Sequence, residues 1–164
     1  MTSKYEQTID AVSELLTKLR LDFMFVGDVA RAAWLGGTVD HGSVDVVAVM
    51  QPQQKNQIAM MASNRGFNVD RDEVEQAEEL DLVPMRFGDI RVHVLVATNA
   101  LYATMVAAAP RVGDIKVASR EDLALLFALN EDFDAVDRLA ASPSFDRDGY
   151  NRKLTSIGLQ EYVL

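Results

Sequence analysis

The sequence lacks cysteine, which excludes disulfides, thiolate metal ligands and a cysteine nucleophile. It has no apolar run near the roughly 20 residues that a membrane-spanning helix needs, and its start, MTSKYEQTID, has no apolar core typical of a secretion signal. Positive charge is scarce too, with 16 Lys and Arg against 25 Asp and Glu and a net charge of -9. Because nucleic-acid binding depends on Lys and Arg at phosphates, this charge argues against a nucleic-acid partner. We therefore expect a cytoplasmic protein that neither enters a membrane nor binds nucleic acid.

The residues that are present are typical of one globular domain. The chain of 164 residues is 49% hydrophobic and 25% charged, and it shows no repeat, low-complexity segment or clear linker. We expect a single domain over residues 1–164. Within it, residues 1–97 would form the core that carries the motifs, and residues 98–164 would be mainly helical.

Periodicity predicts the order of helices and strands. Apolar residues at helical spacing, with Ser3 and Glu6 in a capping-box pattern, predict a first helix. Strands are predicted at 23–27, 44–50, 67–69, 82–87, 90–97 and 112–118, the fourth and fifth forming a hairpin around Gly88-Asp89. Helices are predicted over 28–35, 52–65, 98–109, 119–130 and 131–141, and in a last segment over 146–164. Residues 72–80 are ambiguous. This order predicts an α/β (α+β) fold with a small mixed β-sheet flanked by helices and a helical C-terminal portion.

Three consecutive stretches carry a resemblance to a known superfamily. They are the strand and turn FMFVGD, the helix and loop VARAAWLGGTVDHG, and the strand SVDVVAV. Their order resembles the nucleotidyltransferase superfamily, the fold of polymerase beta and of aminoglycoside and lincosamide nucleotidyltransferases. Later, GDIRVHVLVA is similar to the strand that carries a third acid, and KVASREDLALLFAL to the helix after it. The resemblance covers about residues 23–141 and extends to small bacterial members, including toxins of toxin–antitoxin pairs.

The resemblance assigns two groups of site residues. Gly27 matches the first glycine of a turn that receives nucleotide phosphates, and Asp28 stands where a second Gly or Ser is usual. Asp45 matches the second of three metal-binding acids. Ser43 and His93 take the places of the first and third acids.

These replacements bear on the chemistry that the superfamily performs. Nucleotidyl transfer uses two magnesium ions that clamp the attacking and leaving oxygens, and magnesium prefers hard oxygen ligands. A lysine often found in the later helix is also replaced, by Leu126 or Phe127. We therefore expect a nucleotidyltransferase-like protein with impaired catalysis and a binding or regulatory role. The alternative is an active enzyme that transfers NMP from a nucleoside triphosphate to an acceptor with divalent metal, magnesium if active. Ser43 and His93 would then assist Asp45.

Several residues have a second interpretation. His41, His93 and Asp45 form a ligand set that zinc or non-haem iron uses, although the two histidines could simply make local hydrogen bonds. Asp28 could only stabilise the start of its helix through the helix dipole. Arg31 is the basic residue nearest Gly27 and could bind a nucleotide or be a solvated helix residue. An acid from elsewhere, such as Asp40 or Asp89, would restore a metal site if it reached Asp45.

A partner is the last expectation from the sequence. The helices from residue 119 onward could offer a face for a homodimer or a protein partner.

Overall fold

The computed structural model describes residues 2–164 and contains a four-stranded mixed sheet. Its strands are β1 (Asp22–Val26), β2 (Val44–Val49), β3 (Leu82–Phe87) and β4 (Ile90–Val96). They are arranged in the order β1-β2-β4-β3, and only β2 and β4 are parallel. The predicted mixed sheet is confirmed, and its parallel pair is formed by the two strands that carry Asp45 and His93.

Helices flank this sheet and form most of the second half of the chain. They are α1 (Lys4–Lys18), α2 (Gly27–Leu35), α3 (Lys55–Ser63), α4 (Arg71–Gln76), α5 (Ala100–Ala108), α6 (Arg120–Leu129), α7 (Phe133–Ala140) and α8 (Arg147–Ser156). Single 3-10 turns lie at Pro52–Gln54 and Gln160–Tyr162. The predicted capping box is confirmed: the Glu6 amide donates to the Ser3 hydroxyl at 3.1 Å, and the Ser3 amide donates to the Glu6 carboxylate at 3.0 Å. No helix within residues 2–164 is long and apolar enough to span a membrane.

Two predicted strands are wrong in detail. Residues 112–118 do not form one strand, because the chain turns back at Gly113-Asp114 and makes the two-residue strands β5 (Arg111–Val112) and β6 (Ile115–Lys116). The predicted strand at 67–69 is reduced to one bridge between Asn68 and Arg86. Both segments are too short to extend a ladder beside the four-stranded sheet.

The alternation of side chains along β2 separates the core from the site. Val44, Val46 and Ala48 are fully buried on one face, whereas Asp45 is only half-buried and belongs to the other. Helix α2 contacts β1, β2 and α6. The Trp34 indole N–H of α2 donates to the Ala118 carbonyl at 2.8 Å, just before α6. These contacts hold α6 close to the end of β2 that carries Asp45.

Candidate functional site

The sheet register places Asp45 beside His93. The two residues are partners in the parallel pairing of β2 with β4, and Nδ1 of His93 lies 2.8 Å from Oδ1 of Asp45. The Ser43 hydroxyl donates to the same Asp45 oxygen at 2.8 Å. The structure thus brings together Ser43, Asp45 and His93, the three residues that the resemblance aligns with metal-binding acids.

The order of contacts in this cluster limits its chemistry. Asp45 is in the centre and accepts from Ser43, while His93 contacts Asp45 rather than Ser43. A Ser-His-Asp hydrolase needs the imidazole between the hydroxyl and the carboxylate, so that it can take the hydroxyl proton. This arrangement therefore does not activate Ser43 as a nucleophile.

Gly27 forms a turn that faces Asp45. Its φ of +60° is unfavourable for residues with a side chain, and a Cβ there would lie 3.0 Å from Oδ2 of Asp45. Helix α2 begins at this residue and has no side-chain cap. The first turn of α2 and the second carboxylate oxygen of Asp45 therefore face each other directly.

Asp28 and Arg31 neutralise each other on α2. Their side chains form an ion pair one helical turn apart, and both are about one-third exposed. Asp28 also lies over the loop at Gly42, where an added Cβ would meet its Oδ2 at 2.7 Å. The nearest basic side chain to Gly27 is thus already paired with the acid that follows Gly27.

His41 lies apart from the cluster formed by Ser43, Asp45 and His93. Its Nδ1 is 2.7 Å from Oδ1 of Asp40, and both side chains are well exposed. The hydrogen bond from His41 and its charge hold the pKa of Asp40 below the ordinary value of 3.8. The structure therefore does not bring His41 to Asp45, and it places Asp40 in a pair with His41.

Magnesium does not fit the residues around Asp45. Asp89 lies near Lys4, with 3.8 Å between the charged atoms, and both are exposed. Among residues 2–164, no three side chains of His, Cys, Asp or Glu lie close enough to share a metal ion. One carboxylate, one hydroxyl and one imidazole do not supply the hard oxygen ligands that a pair of magnesium ions requires.

A cavity of about 390 Å³ opens beside Asp45, between the sheet and α6. Gly27 and Asp45 line it, together with Leu126 and Phe127 of α6. Of the described residues that line this cleft, none is Lys or Arg. Most of the other lining side chains are apolar, namely Val26, Val47, Leu95, Val96, Leu123 and Leu129.

The cleft contains a second acid, Asp81, that sequence reasoning missed. Asp81 directly precedes β3, and its carbonyl accepts a hydrogen bond from the amide of Val96 at 2.8 Å. That contact across β3 and β4 brings Asp81 to the cleft. In the sequence it is one more acid after the acidic stretch 72–80, so only the hairpin register could have singled it out.

Comparisons with known proteins support the architecture. No family model and no curated protein matches the sequence. A crystal structure of ANT(2″)-Ia in complex with adenylyl-2″-tobramycin aligns with a TM-score of 0.61 at 15% identity, over 94% of this chain and 99% of that one. The chain has a nucleotidyltransferase fold.

A second solved structure gives the same result. The solution structure of the antibiotic-resistance factor ANT(2″)-Ia aligns with a TM-score of 0.54 at 17% identity, over 93% of this chain and 84% of that one. Both matches are to aminoglycoside nucleotidyltransferases. The nucleotidyltransferase fold inferred from the order of FMFVGD, SVDVVAV and GDIRVHVLVA is therefore confirmed.

Proposed function

We propose that this nucleotidyltransferase-fold protein binds a small ligand in the cleft beside Asp45 and does not transfer nucleotides. The ligand would be largely apolar and would carry a positively charged amine. One observation carries the proposal: two carboxylates, Asp45 and Asp81, line a mostly apolar cleft in which no described lining residue is Lys or Arg.

The charge of the cleft disfavours a nucleoside triphosphate. A negative phosphate about 4 Å from a carboxylate is repelled by roughly 4 kcal/mol at an effective dielectric constant near 20. Active nucleotidyltransferases compensate with metal ions, but Asp45 has Ser43 and His93 as neighbours rather than further acids. An ammonium group reverses the sign of this interaction and makes it attractive.

The side chains that line the cleft indicate the chemical character of the uncharged part of the ligand. Ligand pockets are commonly apolar with a few polar groups that fix orientation. Here Leu126 and Phe127 supply apolar surface, and Thr98, Tyr102 and Asn130 supply uncharged polar groups. An amine with an apolar body would bury that body against α6 and direct its charge to Asp45 and Asp81.

Calorimetric titration tests this proposal. We expect no binding of ATP, GTP, CTP or UTP with magnesium or manganese, and saturable binding of phenethylamine. Tobramycin, a hydrophilic polyamine, serves as the second amine probe because one solved neighbour holds its adenylyl derivative. Asp45→Asn should weaken amine binding roughly tenfold or more, because an ionic hydrogen bond is lost. Asp89→Asn, which removes the same charge at an exposed position, should leave binding unchanged.

The opposite result would support nucleotidyl transfer. The second carboxylate oxygen of Asp45 faces the Gly27 turn, and the cleft beside it is open. Metal-dependent nucleotide binding that Asp45→Ala abolishes would overturn the amine proposal. It would favour an enzyme in which Asp45 holds the metal with help from Ser43 and His93.

A homodimer or protein partner stays a prediction, as does a role in a toxin–antitoxin pair. Leu129 at the end of α6 and Phe133 at the start of α7 are 41% and 40% exposed, which leaves apolar surface on the C-terminal helices. Sedimentation over a wide concentration range tests the dimer. A strict monomer throughout would contradict it.

A further inference from the structure

A second cavity, of about 280 Å³, is lined by residues of β3, β4 and α4. Arg86, Arg91 and His93 line it, with Glu73 from α4. His93 also lines this cavity, and its Nδ1 contacts Asp45, which lines the cleft. We call this cavity the arginine pocket.

Two arginines face each other across the hairpin in the arginine pocket. Arg86 of β3 is the direct cross-strand partner of Arg91 of β4. Directly opposite residues have Cβ atoms about 4.5–5.5 Å apart, and like charges at this position are destabilising. His93, two residues after Arg91 on the same strand, projects from the same face roughly 7 Å along it. Two arginines and His93 thus line one small cavity.

The acid that lines this pocket, Glu73, pairs with only one of the two arginines. Glu73 lies 3.7 Å from Arg86, and both side chains are 41% exposed. Arg91 forms no ion pair within residues 2–164. An arginine without an acid, opposite a second arginine, is notable in a chain with a net charge of -9. A bound anion would relieve the repulsion between the two guanidinium groups.

We propose that the arginine pocket binds an oxyanion, the phosphate or carboxylate of a small ligand. Guanidinium groups form two parallel hydrogen bonds with these anions, and Arg91 is the group available to do so. Arg86 adds a second positive charge. This site takes a ligand of opposite charge to the one proposed for the cleft and does not depend on it.

Titration of the labelled protein with sodium phosphate and with sodium acetate, at ionic strength matched with chloride, tests the site by NMR. We expect saturable amide shifts around residues 86–93. Arg91→Gln should weaken binding roughly tenfold to a hundredfold. Arg147→Gln, an equal change of charge at an exposed position on α8, should leave it unchanged.

For a second pair of variants we expect the opposite change, a strengthening of anion binding in one variant and none in its control. Glu73→Gln removes the acid beside Arg86 and should strengthen anion binding. Glu14→Gln, at an exposed position of α1, should not. Tighter binding of phosphate than of acetate would assign a phosphate-bearing ligand, and comparable binding would assign a carboxylate. Shifts that do not saturate, or equal weakening by Arg91→Gln and Arg147→Gln, would overturn the proposal. Failure of amine binding in the cleft would leave these expectations unchanged.

Discussion

Two aspartates, Asp45 in the cleft and Asp122 on α6, have different surroundings. Asp122 is 2% exposed and pairs with Lys153 of α8. Its amide is also capped by the Ser119 hydroxyl at 3.1 Å. Asp45 is 27% exposed and contacts only a hydroxyl and an imidazole, next to an open cavity.

This difference separates a carboxylate that joins two helices from one that remains available to a ligand. Oδ1 of Asp122 accepts a hydrogen bond from the ammonium of Lys153, 31 positions along the chain, and this pair joins α6 to α8. Asp45 uses one oxygen for Ser43 and His93, and its other oxygen faces Gly27 and the cleft. We expect loss of the first pair to reduce stability and loss of the second carboxylate to reduce binding.

The largest expected effect follows removal of the cation from the buried pair. Lys153→Met leaves the carboxylate of Asp122 buried without its charge partner, and we expect a loss of about 3 kcal/mol in the free energy of unfolding. Urea denaturation measures it. The matched control is Lys4→Met, since Lys4 and Asp89 form an exposed pair that contributes little. Equal losses for the two variants would contradict the expectation that the pair of Lys153 with Asp122 contributes more to stability than the pair of Lys4 with Asp89.

The next effect concerns the turn in front of Asp45. Gly27→Ala places a side chain at φ +60°, which costs about 1–2 kcal/mol, and brings its Cβ to 3.0 Å from Oδ2 of Asp45. Gly113→Ala is the control, because Gly113 has φ +61° and nothing within 4 Å of its added Cβ. Thermal and urea unfolding should show a larger loss at Gly27. Combining Gly27→Ala with Asp45→Ala should remove that excess, and an excess that persisted would contradict the close approach.

A smaller effect on stability is expected when Asp45 loses only its charge. Asp45→Asn keeps an oxygen in place of Oδ1, which both Ser43 and His93 contact, so we expect a loss of at most about 1 kcal/mol in urea denaturation. Asp89→Asn controls for the change in net charge. A loss as large as that of Lys153→Met would make Asp45 a structural residue like Asp122, and the comparison between them would fail.

The sequence was sufficient for the fold and for part of the site. The spacing of Gly27, Asp45 and His93 along strand, turn and strand carried the resemblance, and the comparisons confirm the fold. The contact between Asp45 and His93 depends on β2 pairing with β4, which are far apart in the chain. Local patterns do not determine that pairing, so the contact came only from the resemblance.

Two features escaped sequence reasoning for different reasons. His41 belongs to an irregular loop, where a hydrogen bond to Asp40 rather than a strand register sets its direction. The arginine pair was within reach of the sequence, because a hairpin turning at Gly88-Asp89 pairs Phe87 with Ile90 and therefore Arg86 with Arg91. The predicted turn is confirmed, and its register places Arg86 opposite Arg91.

The smallest expected effect returns to the region of Asp122. The hydroxyl of Tyr150 on α8 is fully buried and has no hydrogen-bond partner among residues 2–164. Tyr150→Phe removes an unsatisfied polar group, so we expect no loss of stability at neutral pH and a gain of up to about 1 kcal/mol. Tyr5→Phe is the control, because the Tyr5 hydroxyl donates to the Gly42 carbonyl at 2.9 Å and its removal should cost stability.

The same substitution has a signature at alkaline pH. Burial raises the pKa of Tyr150 above its ordinary value of 10.0, and the negative charge of Asp137 raises it further. The unfolded chain therefore loses this proton first as the pH rises. The free energy of unfolding is unaffected by this titration below pH 10.0 and decreases as the pH rises above it. Urea denaturation on both sides of this pH should show a steeper alkaline decline for the natural protein than for Tyr150→Phe. Identical declines would mean that the phenol is solvated and that the packing around Tyr150 is looser than its full burial implies.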